Sequence, residues 1–300
     1  MISKEEVRIL GKYYFYFSQL TLFMRKFAIS HFEEKEANVI FFGIDYTKDS
    51  KELLEKIRDS SYFVEPFDFH GNNLLEKVRL FDIGDLKIKS FEEITQKFIE
   101  IRKENKIPFM ISRGHLPTFY ATKNLKKEKL IVFDAHADCK NEYIDEIIAF
   151  DVDKNKDEKR FNGSTWLRRL LENSKIEVLL IGLRSFDEEE INFLKDRRAK
   201  FFISLDIIRN KVGVLDEIVR FTKDSEVYIS LDLDVFDPSI LPATDYPEPG
   251  GLSYFDFVDI IESIKGKLIG ADVCCLKPIE DNLISEFLTV KSIFHVFSKI

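Results

Sequence analysis

Seven short apolar runs, rich in β-branched and aromatic residues, recur along the chain with helical patterns between them. They cover 38–43, 108–111, 129–133, 177–181, 199–204, 226–231 and 267–273. Most are apolar at consecutive positions rather than at alternate ones. A strand of that kind must be covered on both faces, as buried parallel strands are. The intervening segments carry helix-start signals. Ser90-Phe-Glu-Glu93 has the form of a capping box ahead of Ile94, Phe98 and Ile101. Asp187-Glu-Glu-Glu190 opens a segment with Ile191 and Leu194, and Ser253 precedes Phe257, Val258 and Ile261. Helical spacing returns at Phe287, Ile293 and Val296 within 284–300. This alternation predicts an α/β fold, an open sheet sandwiched by helices. No internal repeat, low-complexity tract or linker divides it. The chain therefore reads as one domain, 1–300, with an aromatic, helical N-terminal segment over 1–37.

Composition narrows the function. The chain has 300 residues, 45% apolar and 33% charged, as soluble globular proteins do. Its net charge of −8 and scattered Lys and Arg argue against nucleic acid as a partner. The three cysteines are Cys139, Cys274 and Cys275, too few for a disulfide framework, which points to a reduced cytoplasmic setting. The start Met1-Ile-Ser-Lys-Glu-Glu6 has no secretory pattern. The aromatic run Tyr13 to Phe27 is broken by Ser18, Gln19, Arg25 and Lys26, too short and too polar to span a bilayer. It suits a surface segment or a subunit contact. With 29 Phe, the chain is expected to bury apolar surface in a homo-oligomer or against a paralogue.

Two acidic clusters follow apolar strands: Asp134-Ala-His136-Ala-Asp138 and Asp232-Leu-Asp234. A further histidine, His115, closes Ser112-Arg-Gly-His115 after the 108–111 run. In extended backbone, residues two apart point to one side. A lone Asp or His would be read as a cap or a gap filler, as Asp237-Pro238 is read as a turn. Four carboxylates brought together repel and take up protons unless a counter-charge balances them. Oxygen donors with two imidazoles suit Mn²⁺, and also Fe²⁺, Co²⁺ or Zn²⁺. So many carboxylates point to a pair of divalent ions, which acidifies water and polarises the group it attacks. The dense Pro/Gly stretch 242–251 follows the second cluster and predicts a shaped loop at the carboxyl ends of the strands, where ligands bind in open α/β sheets. Asp151 to Asp157 has some look of a calcium loop. It lacks Gly at the sixth position (Lys156) and Glu at the twelfth (Asn162), so a solvated lid is expected there.

The motifs 134–138, Ser230-Leu-Asp-Leu-Asp-Val-Phe-Asp-Pro238 and Pro247-Glu-Pro-Gly-Gly-Leu252 resemble the ureohydrolase family of arginases and agmatinases in order, spacing and context. Ile181-Gly-Leu-Arg-Ser185 and Gly270-Ala-Asp272 extend the likeness. Asp138-Cys-Lys-Asn-Glu-Tyr143 with Trp166-Leu-Arg-Arg169 is similar to archaeal-type agmatinases in particular. The resemblance covers roughly 38–300. It implies a three-layer α/β/α sandwich with a mainly parallel sheet of about eight strands. It also implies two Mn²⁺ ions and hydrolysis of a C–N bond in an amidine, guanidino or amide compound. The ligands it implies are His115 and Asp138 on one ion, His136 on the other, and Asp134, Asp232 and Asp234 shared. Asp138 would orient the attacking water.

Three departures stand beside it. The family places a histidine shortly after the first cluster, where this chain has Asn162-Gly163; its histidines are His31, His70, His115, His136 and His295 only. The family places a glutamate for the guanidinium three residues after Asp272, where this chain has Cys275. The family's Gly-Gly-Asp-His becomes Ser112-Arg-Gly-His115, which puts the cation Arg113 near the histidine. Asn162, Gly163 and Cys275 are thus the expected substrate-side positions. A catalytically degenerate relative with a structural or regulatory role is the alternative expectation. One-metal deacetylase chemistry is disfavoured, since no His-His pair exists.

Overall fold

The structure is a computed structural model that describes residues 26–144, 157–280 and 282–300. Most of the expected N-terminal segment, and the centre of the charged stretch after Asn141, lie outside the described residues. Eight strands form one sheet: β1 (Val39–Asp45), β2 (Leu80–Lys87), β3 (Ile107–Ser112), β4 (Lys129–Phe133), β5 (Glu177–Leu183), β6 (Lys200–Ile203), β7 (Glu226–Asp232) and β8 (Lys267–Cys274). Their order is β2-β1-β3-β8-β7-β4-β5-β6, and every pairing is parallel. All seven apolar runs are strands. The eighth, β2, escaped because its sequence Leu-Phe-Asp-Ile-Gly-Asp-Leu-Lys alternates in burial and sits at the sheet edge, where only one face is covered.

The helices are α1 (Ser50–Ser61), α2 (Glu92–Lys103), α3 (Leu116–Thr122), α4 (Trp166–Asn173), α5 (Glu188–Asp196), α6 (Ser204–Thr222), α7 (Tyr254–Ser263) and α8 (Ile284–Phe297). They form two layers because successive strand residues face opposite sides. Phe41, Phe109 and Ile229 join one core with Leu54 and Ile57 of α1, Ile218 of α6, Ile261 of α7 and Ile293 of α8. Phe42, Met110 and Val132 join the other with Phe98 of α2, Tyr120 of α3, Leu170 of α4 and Leu194 of α5. The sequence signals for helix starts act as read. The Asp187 side chain accepts from the Glu190 amide at 2.9 Å, and Ser253 Oγ from the Asp256 amide at 3.1 Å. Glu93 Oε1 reaches back to the Ser90 amide at 3.0 Å, although α2 itself begins at Glu92.

The strand register sets one rim level. Ser112 and Asp232 both pair with Cys274, and Phe133 pairs with Leu231. The carboxyl ends of β3, β8, β7 and β4 therefore arrive side by side. Arg184, just beyond β5, fixes the Pro/Gly loop above them by donating to the carbonyls of Asp234 (2.6 Å) and Glu248 (2.9 Å). Asp237 closes the loop, accepting from the amides of Gly250 (2.8 Å) and Gly251 (3.1 Å). A Cβ at Gly251 would lie 2.5 Å from the Asp237 nitrogen, so this approach needs glycine.

Candidate metal centre

His115 stands three residues past β3, and its ring is 2% exposed. Its Nδ1 lies 2.9 Å from Asp138 Oδ2, 3.1 Å from Asp134 Oδ2 and 3.4 Å from Asp232 Oδ2. His136 Nδ1 lies 2.8 Å from Asp234 Oδ2 and 3.7 Å from Asp134 Oδ1. Four groups of potential ligand atoms, each mutually within 4.8 Å, occur among the described residues; two of them join His115 with Asp134 and Asp232, and His136 with Asp134 and Asp234. The sequence clusters are thus gathered in one place, with Asp134 between the two sets.

Local backbone achieves this differently from a simple extended run. β4 ends at Phe133, and 134–138 is irregular apart from a bridge between His136 and Ser185. Asp134 Oδ1 accepts from the His136 amide at 2.6 Å, folding the motif on itself. Asp138 sits at φ 49°, in the left-handed region, which re-aims its carboxylate. Asp232 ends β7, while Asp234 lies in a 3₁₀ turn whose amide bonds Asp232 Oδ1 at 3.0 Å. Asp234 Oδ1 in turn accepts from the Ala135 amide at 3.0 Å, tying the two clusters together. The second-position spacing brought the carboxylates together through turns, not through continuing strands.

The electrostatics fit a cation. Buried His115 Nδ1 and Asp134 Oδ2 lie 3.1 Å apart, and neither has a hydrogen-bond partner among the described residues. Each is a donor atom of the kind divalent ions take. Burial, with Asp134 close by, pushes the Asp138 carboxyl up to about 7 in the metal-free chain. Burial and the Asp234 charge raise Asp232 well above the carboxylate range. Burial resists a charge on His136, yet Asp134 and Asp234 outweigh it and hold the imidazole at about 11. Without cations, protons therefore occupy the cluster. The orientations of His115 and Asp138 are held from outside the cluster. His115 Nε2 lies 3.0 Å from Ser230 Oγ, which donates at 2.8 Å to Asp272 Oδ1. Thr118 and Tyr228 hydroxyls also donate to Asp272, at 2.9 and 2.7 Å. Trp166 Nε1 donates to Asp138 Oδ2 at 2.7 Å.

A cavity of about 410 Å³ opens over these side chains. Its wall includes His115, His136, Asp138, Asp232, Asp234, Gly163 and Cys275. Asn162 does not line it. That side chain faces the other way, its Nδ2 donating to the carbonyls of Tyr143 (2.7 Å) and Glu158 (2.8 Å). Gly163, with no side chain, takes the wall position and leaves the space open. Sequence reading missed several neighbours. Lys140 lines the wall paired with Asp187 (2.9 Å) and Glu190 (3.3 Å). Asp245, from the Pro/Gly loop, grips Arg113 through both guanidinium nitrogens and takes Lys277 at 3.0 Å. Arg113 is thereby engaged by this protein's own carboxylate. Phe186 and Tyr246 also line the cavity. Arg113 stands out in the sequence by its position beside His115; Asp245 and Lys277 carry no spacing signal.

A family model described as the arginase family matches residues 50–298. An uncharacterised 32.2 kDa protein of Methanothermus fervidus is 30% identical over 72% of this chain and 74% of its own length. The N(1)-aminopropylagmatine ureohydrolase of Thermococcus kodakarensis is 28% identical over 72% of this chain and 73% of its own. Among solved structures, the agmatine ureohydrolase of Thermoplasma volcanium superposes with a TM-score of 0.76 at 27% identity, covering 92% of this chain and 94% of that one.

Proposed function

The chain belongs to the arginase family, and on that premise we propose that it is a metal-dependent hydrolase of a guanidino C–N bond in a small molecule. One observation carries this reading: six potential ligands from three distant segments lie together, five of them lining one cavity, and two of their buried atoms have no hydrogen-bond partner among the described residues. His115, Asp134, Asp138, Asp232, His136 and Asp234 would hold two divalent cations, with Mn²⁺ the best match to their oxygen and imidazole donors. When bound, such a pair supplies an acidified water and charge stabilisation at the reacting carbon.

The chain's own residues do the rest. Asp138 accepts from Trp166 and lines the cavity, so its orientation is set before a substrate arrives. It is the residue proposed to orient the attacking water. The wall carboxylates of Asp187, Glu190 and Glu248 outnumber the wall cation Lys140, which favours a cationic substrate. Phe186 and Tyr246 offer apolar faces for its stem. Cys275 stands where no carboxylate can clamp a guanidinium, so positioning falls to the outer wall. The same reading includes a single catalytic domain, a cytoplasmic setting and a homo-oligomer. Among the described residues no helix is long and apolar enough to cross a membrane. Exposed Ile208, Val212 and Phe255 support a subunit contact.

The test is direct. Manganese-loaded protein is assayed for urea release from arginine, agmatine and N(1)-aminopropylagmatine, beside the metal-stripped chain. Turnover of at least one compound that requires the metal is expected. Full metal occupancy with no urea from any of them contradicts the proposal and favours the degenerate, regulatory alternative.

A further inference from the structure

Beside the six side chains lies a pair of groups that hydrolysis does not use. Cys274 ends β8 and Cys275 follows it. In extended backbone, neighbouring side chains point to opposite faces, so adjacent thiols should diverge. Cys275 departs from that pattern. Its φ is 69°, in the left-handed region that a side chain with a Cβ rarely adopts. The chain turns there, and both sulfurs approach one carboxylate. Cys274 Sγ lies 3.7 Å from Asp232 Oδ2. Ligand atoms of Asp232, Cys274 and Cys275 all lie within 4.8 Å of one another. Cys274 is 1% exposed, whereas Cys275 lines the cavity and so gives access from it. The third cysteine, Cys139, is buried and joins no such group among the described residues.

We propose that Cys274, Cys275 and Asp232 form a further binding position for a thiophilic divalent cation such as Zn²⁺ or Cd²⁺. Thiolates are soft donors that select such ions, while the adjoining carboxylates and imidazoles suit harder ones. Binding replaces two S–H bonds with two S–metal bonds and adds a bond from the Asp232 carboxylate; the two thiol protons, and the carboxyl proton where Asp232 carries one, go to water, and no electron changes hands. The position shares Asp232 with the set containing His115 and Asp134. One carboxylate serving both draws them into competition, so a soft ion entering here displaces Mn²⁺. That last consequence rests on the proposed function; the thiol position itself does not.

The experiment titrates the manganese-loaded, full-length chain with Cd²⁺ alone. It reads the thiolate-to-cadmium charge-transfer absorption, and both metal contents after desalting. The expected result is a charge-transfer band that grows with bound cadmium while manganese falls. Cys274→Ser and Cys275→Ser each weaken cadmium binding by at least the ~10-fold that losing even an outer-shell partner costs. Cys139→Ser leaves the band in place. A wild-type chain with no such band overturns the inference, and so does a band abolished by Cys139→Ser but kept in the other two variants. No band together with intact metal-dependent urea release removes this inference alone. A band with no hydrolysis removes the proposed function alone.

Discussion

Two sets of carboxylates, one at the sheet edge and one at the rim, are neutralised in different ways. At edge strand β2, Asp82 is 0% exposed and accepts from Arg58 Nε at 2.7 Å, Arg58 Nη2 at 3.2 Å, the Phe27 amide at 2.8 Å and the Gly84 amide at 2.7 Å. Asp85 takes Arg58 Nη1 at 2.6 Å. Both oxygens of Asp82 have donors, and the charge is met by a covalently attached cation. At the rim, Asp134, Asp138, Asp232 and Asp234 meet two imidazoles and no arginine or lysine within ion-pair distance among the described residues. His115 Nδ1 and Asp134 Oδ2 have no hydrogen-bond partner among those residues. The first group is a completed ion pair; the second is balanced by protons or by cations from solution. Burial of acid alone does not mark a functional site. Several buried acids gathered beside a cavity, with no arginine or lysine to meet them, do.

The largest way to break this comparison is Asp232→Ala. It should lower metal-dependent urea release about 10⁴-fold, since several kcal/mol of charge stabilisation leave with the ligand and each ~1.4 kcal/mol is tenfold. Metal content should fall in parallel. A variant that keeps both metal and activity would break the account. Arg58→Ala should act on the other group only. Stranding Asp82 costs about 3–5 kcal/mol of stability, read by urea denaturation, and saturating Mn²⁺ should not close the gap to wild type.

A pH series sharpens the contrast. A carboxyl raised in the fold, as Asp138 is, contributes stability that is fully present below its ordinary value near 3.8 and lost as pH rises through about 7. His136 acts in the same sense, its contribution present below 6.5 and lost only on rising through about 11. The metal-stripped chain should therefore lose on the order of a few kcal/mol between about pH 4 and 7. Cations compete with those protons, so Mn²⁺ should bind more tightly as pH rises over that range. At about 100 times its dissociation constant, Mn²⁺ should add ~2.7 kcal/mol of stability. Thermal scans at several pH values, with and without metal, decide the matter. The smallest effect expected is that of Trp166→Phe, which removes the indole donor to Asp138 and leaves a ring. It should weaken metal binding or activity by ~10–100-fold, measured by metal titration.

The same contrast explains how much of the molecule was legible beforehand. The central strands could be read because both of their faces are buried, which forces continuous apolar sequence. β2 could not, because an edge strand carrying Asp82 and Asp85 looks polar, and the arginine that neutralises it lies 24 residues away. The rim side chains stood out because repeated Asp and His after apolar strands have few other uses. Their means of convergence did not, since turns at Asp138 and 233–235 depend on tertiary contacts with Ala135 and Trp166. Asn162 had the right position for the cavity, yet its amide was drawn away by three main-chain carbonyls, which a spacing rule cannot foresee. The Arg113–Asp245 pair spans 132 residues and left no local pattern.

Crystals grown with Mn²⁺ and measured at the manganese absorption edge test the central claim most directly. The account predicts two anomalous peaks, one beside His115, Asp138 and Asp232, the other beside His136 and Asp234, with Asp134 reaching both. No peak at the rim, or manganese bound only elsewhere on the chain, would contradict it.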